Sequence, residues 1–155
     1  VCRFNFRGVG KSDGEFDNGQ GELADAAAAL DWIERENFDN SHCWIAGFSF
    51  GALIAMQLLM RRPEINRFIA ISPQPNTFDF SFLSPCPTSG IIIHGKNDEL
   101  VPEENISELT RRLSSQKGIK IDLKSIENAN HFFSKNIDNL IIALNEYLKK
   151  ETELY

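Results

Sequence analysis

A chain of 155 residues with 42% apolar and 25% charged side chains has the composition of a globular protein, and it is long enough for one domain with a buried core. Sixteen basic and twenty-two acidic residues give a net charge of −6 that is spread over both halves of the chain, which argues against a nucleic-acid partner. The absence of any apolar run near the roughly 20 residues of a membrane span, together with three widely spaced cysteines, predicts a cytoplasmic protein with reduced thiols and no membrane partner.

Apolar runs of strand length alternate with segments of helical periodicity along the chain. In chain order the pattern predicts a strand at 1–6, a helix at 22–36, a strand at 43–48, a helix at 51–62, a strand at 67–71, a strand at 90–94, a helix at 102–115, a strand at 119–126 and a helix at 137–150. Strands that alternate with helices are typical of a mostly parallel sheet with helices on both faces. The predicted fold class is therefore α/β.

The strongest motif is Gly47-Phe48-Ser49-Phe50-Gly51, which joins a predicted apolar strand to a predicted helix. A nucleophilic serine on an α/β scaffold lies on such a strand-to-helix turn, which exposes its hydroxyl above the sheet. Glycines on both sides let strand and helix approach each other without a Cβ clash. We therefore expect Ser49 to be a nucleophile rather than an ordinary loop serine.

A serine needs a base at neutral pH, and the base needs a carboxylate that orients it. Of the three histidines, His42 lies at the wrong end of its strand, and His94 closes a strand, where a structural role is expected. His131, in the loop after the last predicted strand, is the expected general base. Asp98, in the loop after 90–94, is the expected acid, because the neighbouring Glu99 fits better as a charge at a helix N-terminus.

Two further patterns have other interpretations. Residues 10–12 (Gly-Lys-Ser) end like a phosphate-binding loop, but Asn5 stands where that motif needs glycine, which disfavours nucleotide binding. Phe78, Phe80 and Phe82 alternate in a Pro-rich connection. The favoured interpretation is that these rings pack in the core, where the connection covers the edge of the sheet. The alternative is that they line an acyl or aromatic pocket.

These motifs resemble the α/β-hydrolase superfamily, and most closely its small lidless bacterial hydrolases that are related to dienelactone hydrolases. The resemblance covers essentially the whole chain and implies Ser49 as nucleophile, Asp98 as orienting acid and His131 as base, in agreement with the assignment from the residues. Dienelactone hydrolases carry cysteine at the serine position, so a lactone substrate is not implied. The residues that carry the resemblance are Phe4-Asn5-Phe6-Arg7-Gly8-Val9-Gly10 with Ser12 and Gly14, Gly47 to Gly51, His94-Gly95 with Asp98 and Val101-Pro102, and Asn130-His131-Phe132.

The resemblance also bears on the start of the chain, which opens inside a predicted strand. Members of the superfamily carry three strands and a helix before the strand at 1–6, so we expect residues 1–155 to be the C-terminal part of a single α/β-hydrolase domain that lacks its upstream strands. The backbone N–H of Phe50 is the expected first oxyanion donor. The second would lie in the missing segment, and loss of one donor typically costs about 10²–10³ in rate.

The resulting expectation is a serine hydrolase that cleaves a carboxylic ester or a related small acyl compound through an acyl-enzyme. The connection 73–87 is too short for a helical cap, so the resemblance implies an open pocket. No metal or organic cofactor is expected, the expected partner is the small-molecule acyl substrate, and formation of a homo-oligomer stays open. The alternatives are a peptidase or thioesterase with the same three residues and a non-catalytic binding or interaction protein on this scaffold.

Overall fold

The computed structural model describes residues 1–37 and 42–153. Within these ranges the chain forms four α-helices and four β-strands, with a short 3-10 helix at Ser81–Leu83. In chain order the elements are α1 (Gln20–Glu36), β1 (Cys43–Phe48), α2 (Phe50–Leu59), β2 (Ile65–Ile71), β3 (Gly90–Gly95), α3 (Glu103–Ser114), β4 (Ile121–Ile126) and α4 (Ile137–Thr152). None of the helices in the described ranges combines the length and apolarity needed to cross a membrane.

The four strands form one parallel sheet in the order β1-β2-β3-β4. Each strand pairs with the next strand along the chain, with Ile71 opposite Ile93 and His94 opposite Ser125. Because parallel strands point the same way, their carboxyl ends lie along one edge of the sheet. The parallel sheet confirms the predicted α/β fold class.

The sheet separates two apolar clusters, since successive side chains of a strand point to opposite faces. Phe68 and Ala70 of β2 belong to the cluster that includes the buried residues of α1, α2 and α3. Ile69 and Ile71 of the same strand pack in the cluster that includes the buried residues of α4. Helices therefore cover both faces of the sheet, as predicted.

The loop before α1 is held by two charged side chains. The Glu22 carboxylate accepts hydrogen bonds from the backbone N–H groups of Asp17 and Gly19, each 2.8 Å long. Burial alone would raise the pKa of Glu22, but these N–H donors and the nearby Arg7 guanidinium hold it below its ordinary value. Arg7 also pairs with Asp25 of α1, with 2.8 Å between Nη2 and Oδ1. Together the two carboxylates fix the loop against α1.

Residues 1–6 do not form the predicted strand and have no regular secondary structure. Among the described residues no strand pairs with them, and a strand depends on hydrogen bonds to a neighbour. Phe6 instead packs against the cluster on the α1–α3 face. The other predicted elements agree with the structure to within three residues at each end.

Ile92 of β3 has no exposed surface, and its replacement by alanine is expected to lower the free energy of unfolding by about 2–5 kcal/mol, because a cavity is left in the core. Ile142→Ala removes the same atoms from a side chain of α4 that is 53% exposed, and should cost less than about 1 kcal/mol. Urea-induced unfolding of both variants measures the difference. Equal losses would contradict the placement of Ile92 in the core.

Candidate active site

Ser49 is the single residue between the end of β1 and the start of α2. Its backbone has φ 53° and ψ −116°, a left-handed conformation that is strained for a residue with a side chain. Such conformations cost about 1–3 kcal/mol and persist only where the surrounding structure imposes them. The Ser49 N–H donates to the carbonyl of Ile71 in β2 over 2.8 Å, which anchors the turn to the neighbouring strand.

The turn requires glycine at position 47 but not at position 51. A Cβ added to Gly47 would collide with the carbonyl group of Gly51 and with the backbone nitrogen of Ala52, so strand and helix can cross only without that carbon. A Cβ added to Gly51 would meet no atom within 4 Å. The expectation that both glycines relieve a Cβ clash is therefore wrong for Gly51, which lies at the open start of α2.

Asp98 lies in the loop that follows β3, and its side chain is fully buried. Its Oδ1 accepts the backbone N–H groups of Leu100 and Val101 at 2.8 and 2.9 Å. These two bonds leave Oδ2 available to a partner from another loop. The neighbouring Glu99 is exposed, and its carboxylate lies 3.5 Å from the backbone nitrogen of His131 rather than beside the imidazole ring.

His131 lies in the loop that follows β4, where its side chain is buried between Asp98 and Ser49. Its Nδ1 lies 2.7 Å from Asp98 Oδ2, and its Nε2 lies 2.9 Å from Ser49 Oγ. Because an ionised carboxylate only accepts, Nδ1 carries the proton and Nε2 accepts the hydroxyl proton of Ser49. The structure thus brings the three residues that the sequence predicted into one hydrogen-bonded series.

The loop that carries His131 lies directly against the end of β3. A Cβ added to Gly95 would collide with the carbonyl group of Ala129 and lie 2.8 Å from that of Asn130. The N–H of Asn97 donates to the Ala129 carbonyl over 2.9 Å. The absence of a side chain at Gly95 therefore lets the histidine loop reach the acid.

Two exposed aromatic rings flank the imidazole. Phe48 and Phe132 have ring centroids 5.5 and 5.0 Å from that of His131, and 6.1 Å from each other. The two side chains are 40% and 59% exposed. They give the site an apolar wall next to the base.

The other predicted site residues take the following positions. Phe50 is the first residue of α2, so its N–H has no intrahelical acceptor and lies next to Ser49. Phe80 is buried in the core, and the partly buried Phe78 and Phe82 pack against the same cluster, as predicted. The ring of Phe78 also lies 6.0 Å from that of Phe50, which places it near the site as well. His42 precedes β1, at the end of the sheet away from the site.

Two further residues lie beside the site: Ser72, which sequence reasoning did not single out, and His94, for which it expected only a structural role. Ser72 is buried directly after β2, and its Oγ donates to the backbone carbonyl of His131 over 3.2 Å. His94 is buried at the end of β3, and its Nδ1 lies 3.7 Å from Asp98 Oδ2. Burial lowers the pKa of the His94 imidazole, although the nearby Asp98 carboxylate opposes this shift. The sequence feature that could have identified Ser72 as a residue near the site is its position directly after a predicted strand, which it shares with Ser49.

No group of three or more His, Cys, Asp or Glu side chains in the described parts of the chain is arranged to hold a metal ion. The chemistry that this arrangement can perform is proton transfer from a serine hydroxyl to an imidazole oriented by a carboxylate.

A family model for the alpha/beta hydrolase fold matches residues 1–87 of the chain. An uncharacterised protein of Rickettsia prowazekii is 55% identical over 152 residues, which cover 96% of this chain and 64% of that relative. The chain therefore spans a little under two thirds of the length of the curated relative that it matches.

Solved structures give the same likeness over nearly the whole chain. A protein of unknown function from Agrobacterium tumefaciens, described as a candidate alpha/beta hydrolase, is 54% identical with a TM-score of 0.95, and the match covers 97% of this chain and 69% of that protein. An alpha-beta serine hydrolase homologue from Coxiella burnetii is 32% identical with a TM-score of 0.79, covering 94% and 67%. A lidless α/β serine hydrolase from Xanthomonas campestris is 32% identical with a TM-score of 0.85, covering 96% and 65%.

Gly47→Ala is expected to destabilise the protein by about 1–3 kcal/mol, because its Cβ meets the backbone of α2. Gly51→Ala is the matched control and should be neutral or stabilise by up to about 1 kcal/mol, since alanine favours the helix and meets no atom. Thermal and urea unfolding of the two variants test this contrast. A neutral Gly47→Ala variant would contradict the close crossing of β1 and α2.

Proposed function

This chain belongs to the α/β-hydrolase family, and we propose that it is a serine hydrolase that cleaves a carboxylic ester or a related small acyl compound. The observation that carries the proposal is the hydrogen-bonded series from Asp98 through His131 to Ser49, with distances of 2.7 and 2.9 Å. Each residue comes from a different loop at the same edge of the sheet. A purely structural role would not need a strained serine at the point where these loops meet.

In the proposed reaction His131 Nε2 takes the Ser49 hydroxyl proton while Oγ attacks the acyl carbon. The tetrahedral intermediate then expels the alcohol oxygen, which receives that proton, and the acyl group stays on Ser49 as an ester. A water molecule gives a proton to Nε2 and attacks the acyl-enzyme, which releases the carboxylic acid and returns the proton to Ser49. Asp98 holds the Nδ1–H tautomer throughout and stabilises the transient imidazolium.

The developing oxyanion needs donors that are already aligned. Phe50 is the first residue of α2, and we propose its backbone N–H as the hydrogen-bond donor that this chain supplies to the oxyanion. The positive end of the α2 dipole also favours negative charge at this point. One such donor is typically worth about 10²–10³ in rate.

The surface around the series favours apolar substituents on the substrate. The exposed rings of Phe48 and Phe132 lie on the His131 side. Phe16, which is 63% exposed, packs its ring 5.6 Å from that of Phe50, the residue that follows Ser49. The connection 72–89 contains the one-turn helix Ser81–Leu83 and no longer helix that could cover the site. We therefore propose a small acyl ester with at least one apolar group as substrate.

A fluorophosphonate probe is expected to label the protein once, as read by intact mass, because an activated serine attacks its phosphorus centre. Ser49→Ala should abolish the label. Asp98→Asn should slow labelling by about 10³–10⁴-fold, since the imidazole loses its correct tautomer.

Ser107→Ala, at an exposed serine of α3, is the control and should label like the unaltered protein. Absence of labelling in a folded protein would contradict the proposal and favour a non-catalytic binding function. Once labelling is established, ester, thioester and peptide substrates with one acyl group separate the esterase from the thioesterase and peptidase alternatives.

Phe132→Ser is expected to lower kcat/KM for a butyrate ester about three- to tenfold relative to an acetate ester, because the longer chain loses apolar contact. Trp32→Ser, which removes an exposed aromatic ring from α1, should leave this ratio unchanged. Hydrolysis of matched p-nitrophenyl esters gives the ratio. An unaltered ratio in Phe132→Ser would show that the acyl chain lies elsewhere.

A further inference from the structure

His94 is a buried histidine beside the site that the proposed reaction does not use. Its side chain is 1% exposed, and within the described residues neither ring nitrogen has a hydrogen-bond partner. Buried polar side chains in folded proteins almost always have such a partner, so this pair of nitrogens needs an explanation. Burial lowers the pKa of the imidazole, which favours its neutral form.

Asp98 has capacity for one more donor on the oxygen nearest to His94. Its two carboxylate oxygens can accept about four hydrogen bonds. Oδ1 takes the N–H groups of Leu100 and Val101, and Oδ2 takes Nδ1–H of His131. His94 Nδ1 lies 3.7 Å from the same Oδ2, beyond a hydrogen bond but close enough for its N–H dipole to act on the charge.

We propose that His94 is a positioning residue for Asp98, which it supports by directing Nδ1–H of its neutral ring at Oδ2. This inference rests on the proposed function, in which Asp98 orients His131. An approach of about half an ångström would bring the pair within hydrogen-bond distance. Oδ1 already has two donors, so a second donor on Oδ2 would further restrict rotation of the carboxylate away from His131 and stabilise its negative charge.

Three substitutions separate this role from simple filling of the core. His94→Asn keeps an N–H donor near the position of Nδ1. His94→Gln carries the same amide but places it nearer the position of Nε2. His94→Leu keeps a similar volume and has no donor. A role in packing alone would make leucine the mildest of the three changes, whereas positioning makes asparagine the mildest.

The first measurement is the NMR signal of the Nδ1 proton that His131 shares with Asp98, recorded in a Ser49→Ala background that needs no catalysis. The chain has three histidines, so 15N-histidine labelling resolves every ring. The low-field signal should persist in His94→Asn and shift upfield or disappear in His94→Leu and His94→Gln. An unchanged signal in all three variants would overturn the proposal.

The second measurement is the rate of fluorophosphonate labelling in the otherwise unaltered protein. His94→Leu and His94→Gln should slow labelling about tenfold or more, the loss expected from one hydrogen bond to a charged group, and His94→Asn should stay within about threefold. His42→Asn, at the other end of the sheet, should label at the unaltered rate. Equal slowing in His94→Asn and His94→Gln would overturn the proposal.

The two measurements keep this inference separate from the proposed function. A protein that never labels would contradict the serine hydrolase, while the NMR signal would still decide whether His94 orients Asp98. If the leucine variant fails to fold, the asparagine and glutamine variants decide the question by themselves, because they differ only in the reach of the amide.

Discussion

Parallel pairing of the four strands places their carboxyl ends at one edge of the sheet, and the meeting of Ser49, Asp98 and His131 depends on that arrangement. The three residues follow β1, β3 and β4, so none of them is close to another in sequence. Two glycines allow the backbone segments of the site to come close enough together. Gly47 lets α2 cross β1, and Gly95 lets the loop that carries His131 contact the end of β3. Side-chain chemistry at the site therefore depends on backbone contacts that only glycine permits.

The strained turn at Ser49 is supported by the packing around it. Helix α2 is buried along most of its length, with Ala52, Ile54 and Met56 at or below 1% exposure. The preceding strand is held through the bond from Ser49 to Ile71. A local cost of about 1–3 kcal/mol is small beside the apolar burial of such a helix, so the fold can keep the hydroxyl in an otherwise unfavourable conformation.

Local sequence patterns were sufficient to predict the fold class and to nominate the three residues that the structure brings together. The Gly47–Gly51 motif lies between an apolar run and a helical segment, and Asp98 and His131 each follow a predicted strand. The failures concern features that depend on tertiary neighbours. Residues 1–6 look like a strand but have no pairing partner among the described residues, and Gly51 looks equivalent to Gly47 although only one of them faces a crossing backbone. The proximity of His94 to Asp98 likewise follows from how the loop folds back, which no spacing reveals.

Strand order also has a consequence for folding kinetics. Each strand pairs with the next strand along the chain, so each pairing closes a loop of about 20–30 residues, as between Cys43 and Ile65 or Gly90 and Ile121, and parallel pairing of this kind is intrinsically slow. The bond between Ser49 and His131 instead joins residues 82 positions apart, and the ion pair between Arg67 and Glu151 joins residues 84 apart. Long-range contacts of this kind carry the largest loop-closure entropy. The contact between nucleophile and base therefore closes a longer stretch of chain than any one strand pairing does, and its entropic cost falls once the strands between them are paired.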